Sequence, residues 1–251
     1  MNVLSRSTSC CSDVPTGRIR IAAMSVGAMI ALALFAGNAS AQSPVELGTA
    51  GPFGVLAGST VTNTGPSTIN GDLGLSPGTS VTGFGGPGNG TVNGTTHIAD
   101  AVARQAKSDL DTAFSDAAGR TPAAALPPDL STAGILGPGV YRSTSTLQLS
   151  GSVTLDAAGD PSAVFIFQIG SALTTASASR VNLVNGAQPC NVFWQIGSSA
   201  TLGSGSDFAG TILADQSISI NNGVTVRGRA LARIAAVTLI NDTITLSLIH
   251  I

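Results

Sequence analysis

The chain has 251 residues, a formal net charge of −2 and only 10% charged side chains, against about 25% in an average soluble protein. That balance excludes nucleic acid and anionic membrane surfaces as electrostatic partners. Polarity comes instead from Gly, Ser and Thr, and Glu46 is the sole glutamate.

The opening segment reads as a secretory leader. Arg6, Arg18 and Arg20 precede or enter an apolar run over residues 21–35, and Ala39, Ser40 and Ala41 supply a small-residue cleavage site. The run is shorter than the ~20 apolar residues a membrane span needs. Removal of residues 1–41 is expected, giving a secreted chain that starts near Gln42, with no membrane contact after cleavage. Cys10 and Cys11 leave with the leader and Cys190 stays. An odd cysteine in a secreted chain points to a free thiol or to an absent partner.

Residues 55–72, VLAGSTVTNTGPSTINGD, read as three short strands in succession, and residues 73–85, LGLSPGTSVTGFG, begin the same pattern again. A Gly/Pro/Asn loop follows to residue 94. Residues 97–118 then change period. Ile98, Ala101, Val102, Ala106, Leu110, Ala113, Phe114 and Ala117 fall at steps of three and four, so an amphipathic helix is predicted. Thr95 or Thr96 suits its N-cap and Gly119 its C′ position. A Pro-rich link over residues 122–128 leads back to strands.

From residue 140 the chain repeats itself at a period of roughly eighteen residues, the mark of a solenoid. Each unit has an apolar first strand, a Ser/Thr-rich middle strand and a third strand closed by a small residue or Asn. A unit this short must stack on copies of itself to bury its apolar side. VFIFQI (164–169) and NVFWQI (191–196) are apolar at successive positions, as in strands covered on both faces. One side is expected to fill the solenoid and the other to receive the helix, with Phe114 near Phe165, Phe167 or Trp194. The predicted fold is mostly β: a right-handed β-helix of triangular cross-section with one long helix alongside, in a single domain spanning 42–245. Residues 246–251, LSLIHI, match the translation of a common sequencing-adapter end and are expected to be foreign.

The middle strands alternate. Their outward positions are Thr60 and Thr62, Ser80 and Thr82, Thr146 and Gln148, Ala172 and Thr174, Ser199 and Thr201, Ser217 and Ser219, Ala236 and Thr238. None is charged. Ordinary exposed strands also carry Lys and Glu, so a charge-free face is the anomaly that marks these fourteen positions as the candidate site.

Other constellations are weaker. Asp207, Asp215, Arg227 and Arg229 are the nearest approach to a catalytic cluster, and turn or strand-end roles explain them equally well. His97 stands alone before residue 245, so neither a triad nor a metal site is expected. The run from Gly85 to Gly90 lacks the strand–loop–helix context and lysine of a phosphate loop. No enzyme activity and no cofactor are expected.

The chain resembles the secreted ice-binding, antifreeze-like proteins. The resemblance rests on ELGTAGPFGVLAGSTVTNTG, INGDLGLSPGTSVTGF, DAAGRT, GPGVYRST, NVFWQIGSSATLG, FAGTILADQSISINNGVTVRGRALA and AVTLINDTIT, in the family's order over residues 45–245. It implies a discontinuous right-handed β-solenoid with a flanking helix, acting as a monomer that adsorbs to the ice crystal surface through the flat face away from the helix. It also implies that the partner of Cys190 is a cysteine near the native C-terminus, past the segment that the foreign tail is expected to replace. A structural or adhesive solenoid without ice activity is the alternative reading of the same fold.

Overall fold

The computed structural model describes residues 42–122 and 124–247. The expected leader and residues 248–251 of the expected foreign tail lie outside the described residues. Of that tail, Leu246 donates its backbone N–H to the Asn70 carbonyl at 3.3 Å.

Strands pair in parallel into two sheets: a 7-stranded one and a 15-stranded one that supplies two sides of the solenoid. The repeats thus make a three-faced β-solenoid, with first strands on the helix face, middle strands on a flat face and third strands on a third face. Two eight-residue strands, Asp207–Ala214 and Thr225–Ala232, turn the corner between third and helix faces without a break. Gly210 and Gly228 make that bend, with φ of 117° and 152°, and they stack in register. A Cβ on Gly228 would lie 2.0 Å from the Gly210 carbonyl oxygen, so only glycine fits there.

The coils do not stack in chain order. Thr60–Thr64 pairs with Val237–Ile240, and Phe53–Ala57 pairs with Thr225–Ala232. The N-terminal coils therefore extend the stack beyond its C-terminal coil. The chain must then return to the opposite end, and the helix Ala101–Gly119 carries it there. Its 19 residues span ~28 Å at the usual helical rise. It runs from Thr96–Ile98 to Phe165–Ile169, six strand steps or ~29 Å. The helix length matches the part of the stack that it crosses.

The helix starts later than its period predicts. Thr96–Ile98 is a strand, paired with Asp72–Leu75, and Asp100 is the N-cap. Asp100 Oδ1 accepts the Ala103 N–H at 2.8 Å, and that bond, followed by the His97 contact, holds its carboxyl below the usual range. Ile98 and Val102, predicted on the apolar stripe, are exposed; the buried stripe is Ala103, Ala106, Leu110, Ala113 and Ala117. Gly119 is the last helical residue rather than a left-handed C′ cap. The side chain of Gln168 caps the end instead, donating from Nε2 to the carbonyls of Ala117, Ala118 and Arg120 at 2.9, 3.2 and 2.6 Å.

Phe114 lies elsewhere than its period predicts. It is half-buried and packs in the helix–sheet layer with Ile166, Phe193, Leu213 and Leu231, not against Phe165, Phe167 or Trp194. Those three point into the solenoid. The Arg233 guanidinium covers the Phe114 ring at 4.4 Å while pairing with Asp111 at 2.8 Å and Asp215 at 2.6 Å. Lys107 donates to the Ala232 and Arg233 carbonyls, and burial pulls its ammonium down to about 8. Helix and solenoid are thus clamped by two cations as well as by apolar contact.

Replacing Gln168 with Leu should uncap the helix and leave its terminal carbonyls buried without a donor. A loss of about 1–3 kcal/mol is expected, read as a lower Tm with the spectrum of the fold retained. An unchanged Tm contradicts the capping role.

Candidate functional site

The flat face is built from seven strands in the spatial order Leu147–Leu149, Leu173–Thr175, Ala200–Leu202, Ile218–Ile220, Val237–Ile240, Thr60–Thr64 and Ser80–Thr82. Each anchors inward through aliphatic residues. Leu147, Leu149, Leu173, Leu202, Ile218, Ile220, Val237, Leu239 and Val61 are buried, and Val81 on the terminal strand is half-buried. Period two then forces the residues between them outward. All fourteen predicted positions are exposed or half-exposed.

The register brings them into two ranks parallel to the stack. One rank reads Gln148, Thr174, Thr201, Ser219, Thr238, Thr62, Thr82, each paired with the next. Six strand spacings give it a length of ~29 Å. The ladder continues one residue outward to align Thr146, Ala172, Ser199, Ser217, Ala236, Thr60 and Ser80 in the second rank, roughly 6.5 Å away along the strands. Thr64 is exposed and continues the alternation on its strand, so it belongs to the face too. The sequence signal for it is the same period two that gives Thr60 and Thr62.

None of the fourteen side chains is titratable. Within the first rank no hydroxyl from Thr174 to Thr82 has a hydrogen-bond partner among the described residues; the Ser199 and Ser217 hydroxyls in the second rank bond each other at 3.0 Å. Asp129 borders the face at one end of the sheet, where its backbone bridges to Gln148. Hydrogen bonds from Ser150 and Ser131 hold its carboxyl down at about 2, so it stays ionised. The face stands on a buried aliphatic core and turns most of its hydroxyls outward without an intramolecular partner. It offers an ordered array of hydroxyls and methyls, with no titratable side chain among the fourteen.

The residues considered for catalysis do not converge. Asp207 pairs with Arg227 at 3.2 Å, and Asp215 pairs with Arg233. Arg229 is buried and donates from Nε to the Gly51 carbonyl at 2.8 Å. No group of His, Cys, Asp and Glu able to hold a metal exists among the described residues, and no helix there is long and apolar enough to cross a membrane. The glycine loop closes the end of the stack, leading into the strand Thr91–Val92 rather than a helix. Cys190 is buried, its Sγ 3.7 Å from Asn191 Oδ1.

Comparison with known proteins agrees with this architecture. An ice-binding protein from Nostoc sp. (strain HG1) is 52% identical over 214 residues, covering 84% of this chain and 78% of the relative. The crystal structure of an ice binding protein from an Antarctic biological consortium matches with a TM-score of 0.80 at 50% identity, over 83% of this chain and 94% of that one. That of an ice-binding protein from the Antarctic ascomycete Antarctomyces psychrotrophicus matches at 0.77 and 40%, over 82% and 99%. The model of the Ice-binding-like family matches residues 55–245. The chain belongs to the Ice-binding-like family.

Proposed function

We propose that this protein is secreted, adsorbs to ice through its flat face and so slows ice growth and recrystallisation without catalysing a reaction. The observation that carries the reading is the in-register rank from Thr174 to Thr82, with every hydroxyl free and no charge among the outward positions. Ice presents a repeating array of hydrogen-bond donors and acceptors. Hydroxyls at fixed repeats on a rigid sheet can hold water in a matching order, and the methyls between them limit competing hydration. Each such contact is weak. The solenoid orders all of them during folding, so little further entropy is lost on adsorption. The names of the similar proteins support the same partner, and the reading takes the protein to act as a monomer.

Inhibition of recrystallisation in a frozen sucrose solution tests this directly. The purified chain is expected to keep ice grains small over hours at subzero temperature. Grain growth equal to that of the buffer overturns the reading and favours an adhesive or structural solenoid.

A further inference from the structure

The flat face is not uniform along its length. Its two ranks carry unequal hydrogen-bonding capacity, and the inequality follows the discontinuous stacking of the coils. In the middle of the second rank, Ser199 and Ser217 use their hydroxyls on each other at 3.0 Å, and the Ser217 N–H also donates to Ser199 Oγ at 3.3 Å. Alanines flank this pair on both sides, Ala172 and Ala236. Four successive positions of the second rank therefore offer few free hydrogen-bonding groups. The centre of the face is reduced to the single rank of Thr174, Thr201, Ser219 and Thr238.

The two inserted N-terminal strands differ. Thr60 lies opposite Ser80 and Thr62 opposite Thr82. None of these four hydroxyls has a hydrogen-bond partner among the described residues, so they form a two-by-two lattice of free hydroxyls, continued along one strand by Thr64. The surroundings are graded in the same sense. Around the corner on the third face, the strands at this end, Thr243–Thr245, Thr68–Asn70 and Thr91–Val92, contain no charged residue. At the opposite end the third face carries Asp156 and Arg180, and Asp129 borders Gln148, while Asp207 and Arg227 lie mid-stack, with Arg227 in register with Thr245. Charged groups hold their own hydration shells and compete with an ordered water layer; the three third-face strands at the inserted end carry none.

We infer that the contact with ice is anchored at the inserted end, by Thr60, Thr62, Ser80 and Thr82, and that the second rank at the centre contributes shape but no anchoring. The inference rests on the ice-binding reading of the flat face. It assigns the decisive contacts to strands that come from the N-terminal segment, although most coils come from the C-terminal half.

The test compares two double variants in the whole purified protein. Thr60→Ala with Ser80→Ala removes half of the lattice; Ser199→Ala with Ser217→Ala removes the self-bonded pair. Thermal hysteresis is expected to fall at least about threefold in the first, as when central residues of an interface are truncated, and by clearly less in the second, whose hydroxyls already bond each other. Because the Ser80 strand is terminal, the melting temperature of each double variant is measured beside its hysteresis and should match the parent, so that a loss of activity is not a loss of fold. A central pair that loses as much as the end pair, or an end pair that loses nothing, overturns the inference while leaving the flat face in place. A parent without hysteresis, or a Thr201→Tyr variant as active as the parent, instead overturns the reading of the face and this inference with it.

Discussion

Thr201→Tyr is expected to abolish thermal hysteresis while leaving the melting temperature of the protein nearly unchanged. Thr201 sits near the middle of the flat face, paired with Thr174 on one side and Ser219 on the other. Its side chain points outward between the buried Ala200 and Leu202, and outward changes of this kind usually stay within about 0.5 kcal/mol. The harm is geometric. One ring standing above a flat array holds the neighbouring ranks away from a planar lattice, and contacts this weak do not survive separation. Asn182→Tyr is the control. Asn182 lies half-exposed on the third face, opposite Thr154 and next to the charged Arg180 strand end, where a ring should do little. Loss in Asn182→Tyr with retention in Thr201→Tyr places the active surface on the third face.

Trp194→Ala should cost the most stability of any single change. Trp194 is fully buried inside the solenoid, stacked on Phe167 at 4.1 Å and tilted against Phe208 at 5.0 Å, and Phe167 stacks in turn on Tyr141 at 5.5 Å. Four coils are thereby joined by one aromatic column. Truncation of a buried aromatic costs about 3–5 kcal/mol through lost contact and the cavity left behind. The indole Nε1 also donates to the Ala209 carbonyl at 2.9 Å, which would lose its donor. Denaturant unfolding should show a loss in that range. A loss below about 1 kcal/mol contradicts a core packed continuously from coil to coil.

Much of this was readable from the chain because period two is a strict rule. Once Leu147, Ile218 or Val237 faces inward, Gln148, Ser219 and Thr238 must face outward, and repetition aligns them. The parity of the first strands was not readable in the same way. VFIFQI is apolar on both sides, so composition alone does not say whether Phe165 and Phe167 or Ile166 meets the helix. The one polar residue, Gln168, held the clue: it shares a side with Ile166 and caps the helix. The helix start was misplaced because Ile98 and Val102 fit the helical period although Thr96–Ile98 is bound by the sheet edge. The order of the coils was hidden as well, since no local pattern tells Thr60–Thr64 to pair with Val237–Ile240, far along the chain. Nor does it reveal that Ser199 and Ser217 spend their hydroxyls on each other.

Uptake into a growing single crystal of ice tests the central claim most directly. The protein is labelled fluorescently at a site away from the flat face and presented to a slowly growing ice hemisphere. The parent and Asn182→Tyr are expected to enter the ice and light it, while Thr201→Tyr stays in the liquid. Exclusion of the parent, or entry of Thr201→Tyr to the same extent as the parent, contradicts adsorption through the flat face.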